Sequence, residues 1–133
     1  MIGFRGFILL AILAQIIFSC EKSERRKDEG VVVPGNLMLE AKVVHHTWEV
    51  PGVWVYLKRN AVEFPGYDST LYEFKLLSDS YGTVLFENLY PGNYYLYASG
   101  YDAWFGANVR AYVPITLSGD SGNKTSILLM AGE

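Results

Sequence analysis

Cysteine and histidine are scarce in this sequence of 133 residues, which has one cysteine and two histidines. A single cysteine, Cys20, excludes an internal disulfide. The two histidines, His45 and His46, are adjacent, and neighbouring side chains of an extended strand point to opposite faces. They are therefore not expected to share a metal ion, and a zinc site needs three or four ligands. The sequence predicts no metal site and no cofactor.

Catalytic motifs and long basic stretches are also missing. The chain has no G-x-S-x-G, no P-loop and no pair of catalytic carboxylates, so no catalytic residue is predicted. Residues 30–133 contain six Lys and Arg against ten Asp and Glu, a net charge of −4. Because nucleic-acid binding depends on basic side chains that neutralise phosphates, a nucleic-acid partner is not expected.

The N-terminal segment has the composition of a targeting sequence. Arg5 is the only charged residue among the first nineteen, and residues 7–18 read FILLAILAQIIF. This apolar run is too short to span a bilayer, which takes about 20 residues. Its length fits the hydrophobic region of a signal peptide.

Cys20 follows the small residue Ser19 at the end of this run. The residues 17–20, IFSC, resemble the lipobox of bacterial lipoproteins, although Ile17 replaces the usual leucine and Phe18 replaces a small residue. The resemblance implies that residues 1–19 are removed and that Cys20 carries an acyl lipid such as palmitate. The protein is then expected in the bacterial cell envelope, anchored by this lipid in the outer membrane. Ordinary secretion and an uncleaved short anchor are the alternatives.

Residues 20–34 are predicted to form a flexible tether behind the lipid. Residues 21–29 hold four basic and four acidic side chains, and such a segment cannot bury apolar surface. The acidic cluster near Asp28 also resembles surface-export signals of some lipoproteins, but it lies far from the cysteine. A plain spacer is the favoured interpretation.

Residues 35–133 predict one all-β domain. Short runs of alternating apolar and polar residues recur about every ten positions, separated by Gly, Pro, Asn and Asp, which is typical of a sandwich or barrel. Pro114 is expected to place its strand at an edge or bulge. The predicted strands are 36–46, 53–58, 70–77, 83–87, 94–99, 108–117 and 124–130. Alternation predicts these core residues: Leu37, Leu39, Ala41, Val43, Val53, Val55, Leu57, Tyr72, Phe74, Leu76, Val84, Phe86, Leu89, Tyr94 and Leu96.

Four segments together resemble the carboxypeptidase regulatory-like family. They are VWVYL at 53–57, SDSYG at 78–82, VLFENL at 84–89 and YPGNYYL at 90–96. Prealbumin-like and Cna-B-like domains share this architecture. The resemblance implies a seven-stranded Greek-key sandwich that serves as an accessory or adhesive module and is not an enzyme.

Specialised activities of related folds do not fit this chain. One prealbumin-like hydrolase ends in Tyr-Arg-Gly-Ser, whereas this chain ends in LLMAGE. Cna-B-like domains can form a Lys–Asn cross-link, and Lys42 and Asn123 invite the comparison. Alternation directs Lys42 to solvent, so no cross-link is expected. The turns SDSYG and SGDSGN hold one Asp each, too few carboxylates for calcium.

The remaining signal is a surplus of aromatic residues on outward-facing positions. Aromatic rings stack on sugars, and Tyr and Trp dominate protein-binding surfaces. They can also simply cover a half-buried sheet. The leading hypothesis is a non-catalytic module that docks an envelope protein, and the alternative is a carbohydrate-binding module. The candidate binding residues are Trp54, Tyr56, Tyr95, Tyr97 and the loop residue Trp104.

Overall fold

The computed structural model describes residues 35–133, and every statement below about contacts, burial and pairing concerns this part of the chain. The signal peptide predicted for residues 1–19, the lipidation of Cys20 and the tether up to residue 34 lie outside the described residues. They stay predictions from the sequence.

Eight β-strands form within residues 35–133, and two short 3₁₀ turns, Ser69–Leu71 and Gly119–Ser121, lie between strands. The strands are β1 (Leu37–His45), β2 (Trp48–Glu49), β3 (Trp54–Arg59), β4 (Phe74–Leu77), β5 (Thr83–Leu89), β6 (Gly92–Asp102), β7 (Ala107–Leu117) and β8 (Lys124–Met130). Seven strands were predicted, and the additional one is the two-residue β2.

The strands build two sheets. In the first sheet β1 is central: it pairs in parallel with β8 along one edge and antiparallel with β5 and β2. The second sheet has the order β4-β3-β6-β7 and is antiparallel throughout. The inner faces of both sheets bury their apolar residues in one core. The predicted all-β sandwich is confirmed at this level.

The core follows the alternation of the sequence. Leu39, Ala41 and Val43 of β1 are fully buried, and Phe86 of β5 packs in the same cluster. Of the fifteen predicted core residues, twelve belong to that cluster and Phe74 packs partly buried against it. Because side chains of a strand alternate between faces, this agreement shows that the predicted register of those strands is right.

The third predicted strand, 70–77, is partly wrong. Only Phe74–Leu77 forms a strand, since residues 69–71 make a 3₁₀ turn capped by Asp68. Leu76 was expected in the core but is 37% exposed, because β4 is an edge strand. Tyr72 is buried, yet it packs on the outer face of the second sheet against Tyr56 and Tyr97.

Two other local features fit their backbone positions. Pro114 lies on β7, which forms an edge of the second sheet as predicted. Gly100 of β6 crosses directly over Val53, and a Cβ at this position would lie 2.2 Å from a methyl carbon of that valine.

No helix in the described residues is long and apolar enough to cross a bilayer.

Candidate functional site

The predicted aromatic surface is centred on two neighbouring strands. β3 pairs with β6, so Tyr56 lies directly opposite Tyr97, and the two rings stack with centroids 5.6 Å apart and planes inclined by 19°. An aromatic surface that includes Tyr56 and Tyr97 requires β3 and β6 to be neighbours, and the structure pairs these two strands.

Tyr95 and Tyr97 point outward from the second sheet, as predicted, but that face is covered at their positions. Tyr95 is 8% exposed and Tyr97 only 3%. The connection between β3 and β4 lies over them: the Phe64 ring is 5.8 Å from each, and the Tyr72 ring is 5.8 Å from Tyr97. Tyr56 is half-buried in the same layer. These tyrosines form a second, smaller apolar layer, and they do not offer a free face to a ligand.

Tyr72 fixes this layer from the side of the covering connection. Its hydroxyl donates a hydrogen bond of 2.7 Å to the carbonyl of Gly66. Burial, with the neighbouring phenols of Tyr97 and Tyr95, raises the pKa of Tyr72 to about 12. Trp54 lies outside the layer, 39% exposed, with the Lys75 ammonium 4.4 Å above its ring.

At one end of the sandwich, β1 and β2 form a hairpin with a two-residue turn. His45 pairs with Trp48, which leaves His46 and Thr47 as the turn residues, with φ of 51° and 87°. Positive φ at both positions is the requirement of a type I′ turn, which normally selects Asn and Gly. A β-branched residue in this region is strained. The turn twists the chain so that Trp48 is presented at the surface.

The hairpin loop between β6 and β7 lies beside this turn. Asp102 organises it: its Oδ1 accepts hydrogen bonds from the backbone N–H groups of Trp104 (2.9 Å) and Phe105 (3.4 Å). Gly106, with a φ of 69°, closes the loop by donating its N–H to the carbonyl of Asp102. The loop therefore holds Trp104 outward in a defined place, 78% exposed.

A buried hydrogen bond joins the two hairpins. Nδ1 of His45 lies 2.9 Å from Oδ2 of Asp102, and both side chains are almost fully buried. Because a carboxylate can only accept, the ring nitrogen donates. Burial by itself raises the pKa of Asp102, but the hydrogen bonds from His45 and from the N–H groups of Trp104 and Phe105 outweigh it and hold that pKa below its usual value.

The prediction that the two histidines point to opposite faces is wrong. Their ring centroids are only 4.2 Å apart, and Phe105 packs against His45 at 5.2 Å and His46 at 4.9 Å. The reason is the positive φ of His46: β1 ends at His45, so strand alternation does not extend to the next residue.

Between the hairpins lies a cleft, which we call the aromatic cleft. Its volume is about 540 Å³. The Trp48 and Trp104 rings stack at its side with centroids 5.9 Å apart and planes inclined by 29°. The lining residues are Thr47, Trp48, Glu49, Pro51, Ser80, Tyr101, Asp102, Ala103 and Trp104.

Of the five predicted binding residues, Trp104 alone lines the aromatic cleft. Trp54, Tyr56, Tyr95 and Tyr97 belong to the second sheet and are not among its lining residues. Sequence reasoning missed Trp48. No signal in the sequence marks it, because the turn that precedes Trp48 consists of His46 and Thr47 and lacks the Asn and Gly that normally mark such turns.

Two other residues considered from the sequence are held in local contacts. Lys42 forms an ion pair with Glu49 at the surface, so it is not buried for a cross-link. Asp79 in the SDSYG turn accepts hydrogen bonds of 2.9 Å from the N–H groups of Tyr81 and Thr83. This carboxylate oxygen therefore serves the turn itself.

Comparison with known proteins supports the fold. No protein-family profile matches the sequence, and no curated protein matches it. Two crystal structures of the major pilin subunit of Bacillus cereus, one of them a variant, are similar to this chain with 14% identity and TM-scores of 0.52 and 0.51. They cover 75% and 74% of this chain, which spans about a third of the pilin's length (31% and 30%).

A third solved structure is a Pseudomonas aeruginosa protein described as a candidate carbohydrate binding protein. It has 13% identity and a TM-score of 0.48, and the match covers 74% of this chain and 90% of that one. At 14% identity the similarity to the two pilin structures shows the fold alone, so the function has to be argued from the site.

Proposed function

We propose that this chain is a non-catalytic binding module of the bacterial envelope and that its aromatic cleft accommodates a carbohydrate. The observation that carries the proposal is the concave wall formed by Trp48 and Trp104, both well exposed and held by the two hairpins. Ligand sites are typically concave, lined mainly by apolar and aromatic groups, with a few polar groups that fix orientation.

The chemistry of the lining favours a sugar over a purely apolar ligand. Indole faces offer broad apolar surfaces on which the C–H face of a sugar ring can stack. Glu49, Thr47 and Ser80 line the same cleft and can accept or donate hydrogen bonds to hydroxyl groups. The outward aromatics of the second sheet, on which both the protein-docking and the carbohydrate hypotheses from the sequence rested, lose their support for either because Tyr95 and Tyr97 are buried. The carbohydrate proposal rests on the aromatic cleft instead.

A protein partner remains the second candidate, supported by a different surface. Leu85 of β5 and Leu128 and Met130 of β8 are exposed on the outer face of the first sheet. Leu128 and Met130 lie on the same face of β8, and contiguous exposed apolar residues are characteristic of interaction surfaces. This surface lies on the strands of the first sheet, so variants can separate it from the aromatic cleft.

The envelope location rests on the sequence around Cys20. Lipidation of Cys20 would hold the domain at a membrane surface. The anchoring is stable when several acyl chains are attached and marginal when only one is. The resemblance to the carboxypeptidase regulatory-like family is in keeping with an accessory, non-enzymatic domain at the end of such a tether. A Cys20→Ala chain should leave the detergent phase in a phase-partition assay. Mature variant protein that still partitions with detergent would contradict the anchor.

Glycan-array retention with matched tryptophan variants tests the cleft. Trp48→Ala and Trp104→Ala should each abolish retention, because stacked rings contribute much of the affinity in such sites. Trp54→Ala is the matched control, since this tryptophan is exposed on the second sheet outside the cleft. If instead Leu128→Asp removes capture of an envelope protein while the tryptophan variants change nothing, the second candidate is correct.

A further inference from the structure

The turn between β1 and β2 brings three potential metal ligands together. His45 and His46 offer ring nitrogens and Glu133 offers a carboxylate, and one ligand atom of each lies within 4.8 Å of the others. These residues come from the first hairpin and from the segment after β8, so no short sequence motif contains all three. The left-handed φ of His46 is what turns its ring to the same side as that of His45.

His45 is oriented as a metal ligand usually is. A ligating histidine commonly donates its second ring N–H to a carboxylate, which fixes the ring and leaves the other nitrogen as a lone-pair donor. Here Nδ1 donates to Asp102 at 2.9 Å, and Nε2 faces Oε1 of Glu133 at 4.0 Å. That distance is too long for a hydrogen bond, so the lone pair of His45 Nε2 stays available for a metal ion.

The surroundings allow this group to close around an ion. His45 is held rigidly by burial and by the packing of Phe105, whereas His46 and Glu133 are exposed and can adjust. In a tetrahedral site with metal–ligand distances near 2.1 Å, ligand atoms lie about 3.4 Å apart. The 4.0 Å between His45 and Glu133 has to shorten by about 0.6 Å to reach this, and a pair at the 4.8 Å limit of the group by about 1.4 Å.

We propose that His45, His46 and Glu133 bind a divalent transition metal ion, with Asp102 positioning His45 and one coordination position left to solvent. Two imidazoles and one carboxylate suit zinc, copper or nickel and do not suit calcium or magnesium, which prefer oxygen ligands. The positive φ that brings His46 beside His45 is compatible with this assignment. Strained positive φ at a non-glycine turn is retained where the surrounding structure or a function requires it.

Zinc binding to the full chain tests the site. The chain is purified without a histidine tag and with Cys20→Ser in every variant, so that no thiol or added histidine competes. Isothermal titration with ZnCl₂ should give one site with a Kd on the order of 10 µM, weaker than four-ligand structural sites. Magnesium chloride should give no binding in the same assay.

Variants of the two exposed ligands assign the site. His46→Asn keeps a residue that tolerates the left-handed turn, and Glu133→Gln keeps the shape of the side chain. Each should weaken zinc binding at least about tenfold without lowering Tm in the absence of metal. Glu63→Gln, an exposed acid in the connection between β3 and β4, should change nothing. Zinc binding retained in His46→Asn or Glu133→Gln, or a Kd of the parent chain weaker than about 1 mM, overturns the proposal.

Imidazole NMR distinguishes direct ligation from a nearby charge. Zinc should shift the ¹⁵N resonance of His45 Nε2 and of one ring nitrogen of His46, while His45 Nδ1 keeps its proton and its bond to Asp102. Unchanged His45 resonances at saturating zinc would show that the ion binds elsewhere and would contradict the assignment.

Discussion

Asp102 is the residue on which the geometry at this end of the sandwich depends. One of its carboxylate oxygens holds the loop that carries Trp104, and the other accepts the hydrogen bond from His45. The proposed carbohydrate cleft and the proposed metal site therefore share a single buried support. Since Asp102 is charged and almost fully buried, its position is fixed by these partners, as buried charges require.

Ionisation of Tyr72 should lower the stability of the tyrosine layer on the second sheet at alkaline pH. The pKa of Tyr72 is raised by burial to about 12, whereas an unfolded tyrosine ionises near pH 10. A raised folded-state pKa gives stability that is complete below about pH 10 and lost as pH rises toward 12. Thermal unfolding of Tyr72→Phe should therefore show a shallower loss of Tm between pH 9 and 11 than the parent chain.

At neutral pH the same variant should be less stable than the parent chain. It removes the hydrogen bond to the Gly66 carbonyl, which should lower the free energy of unfolding by about 1 kcal/mol at pH 7. The two melting curves should thus converge as pH rises. Parallel curves across the whole range would show that Tyr72 ionises alike in the folded and unfolded chain.

At the scale of elements, the sequence predicts which face of a strand points into the core. It does not predict which other segment packs on the outer face of a sheet. The register of β1, β3, β5 and β6 follows from period-two patterns, since one inward face is strongly apolar. The burial of Tyr97 depends on where the connection between β3 and β4 folds. Alternation assigns a residue to a face, but it does not say whether another segment packs on that face.

The histidine site was hidden for a related reason. A two-residue turn with positive φ normally shows as Asn-Gly, and His46-Thr47 carries no such signal. The turn was therefore read as a continuing strand, which separates adjacent side chains. Three-dimensional proximity to Asp102 and Glu133 arises from three distant segments and has no local signature in the sequence.

Neighbouring substitutions in β5 test its register. Phe86→Ala should lower the free energy of unfolding by about 3–5 kcal/mol, because it empties a packed core position. Leu85→Ala, one residue earlier and facing outward, should lower it by no more than about 0.5 kcal/mol. Urea unfolding of both variants measures the difference. Equal losses would place both side chains in comparable surroundings and contradict the register.

The strain in the β1–β2 turn should be measurable as lost stability. Thr47→Gly relieves a β-branched residue at a φ of 87°, and we expect a gain of about 1 kcal/mol and a rise in Tm of about 4–8 °C. Thr125→Gly, in the regular strand β8, is the control and should lower Tm. A loss of Tm in both variants would mean that residue 47 is not strained.

At the scale of the whole molecule, the fold divides its aromatic residues between two tasks. The outer face of the second sheet uses Tyr56, Tyr95 and Tyr97 to fill a layer under the β3–β4 connection. The hairpin end presents Trp48 and Trp104 around a cleft. The sandwich thus places rigid strands behind the site and short, hydrogen-bonded turns within it, an arrangement common among binding domains.

The chain has three tryptophans, and their indole N–H groups report directly on where a ligand binds. In ¹H–¹⁵N NMR spectra, Trp48, Trp54 and Trp104 should give three separate indole signals. Titration with oligosaccharides released from bacterial envelope polysaccharides should shift the signals of Trp48 and Trp104 and leave that of Trp54 in place. A shift confined to Trp54, or no shift of Trp48 and Trp104 by any saccharide of the panel, would contradict the account.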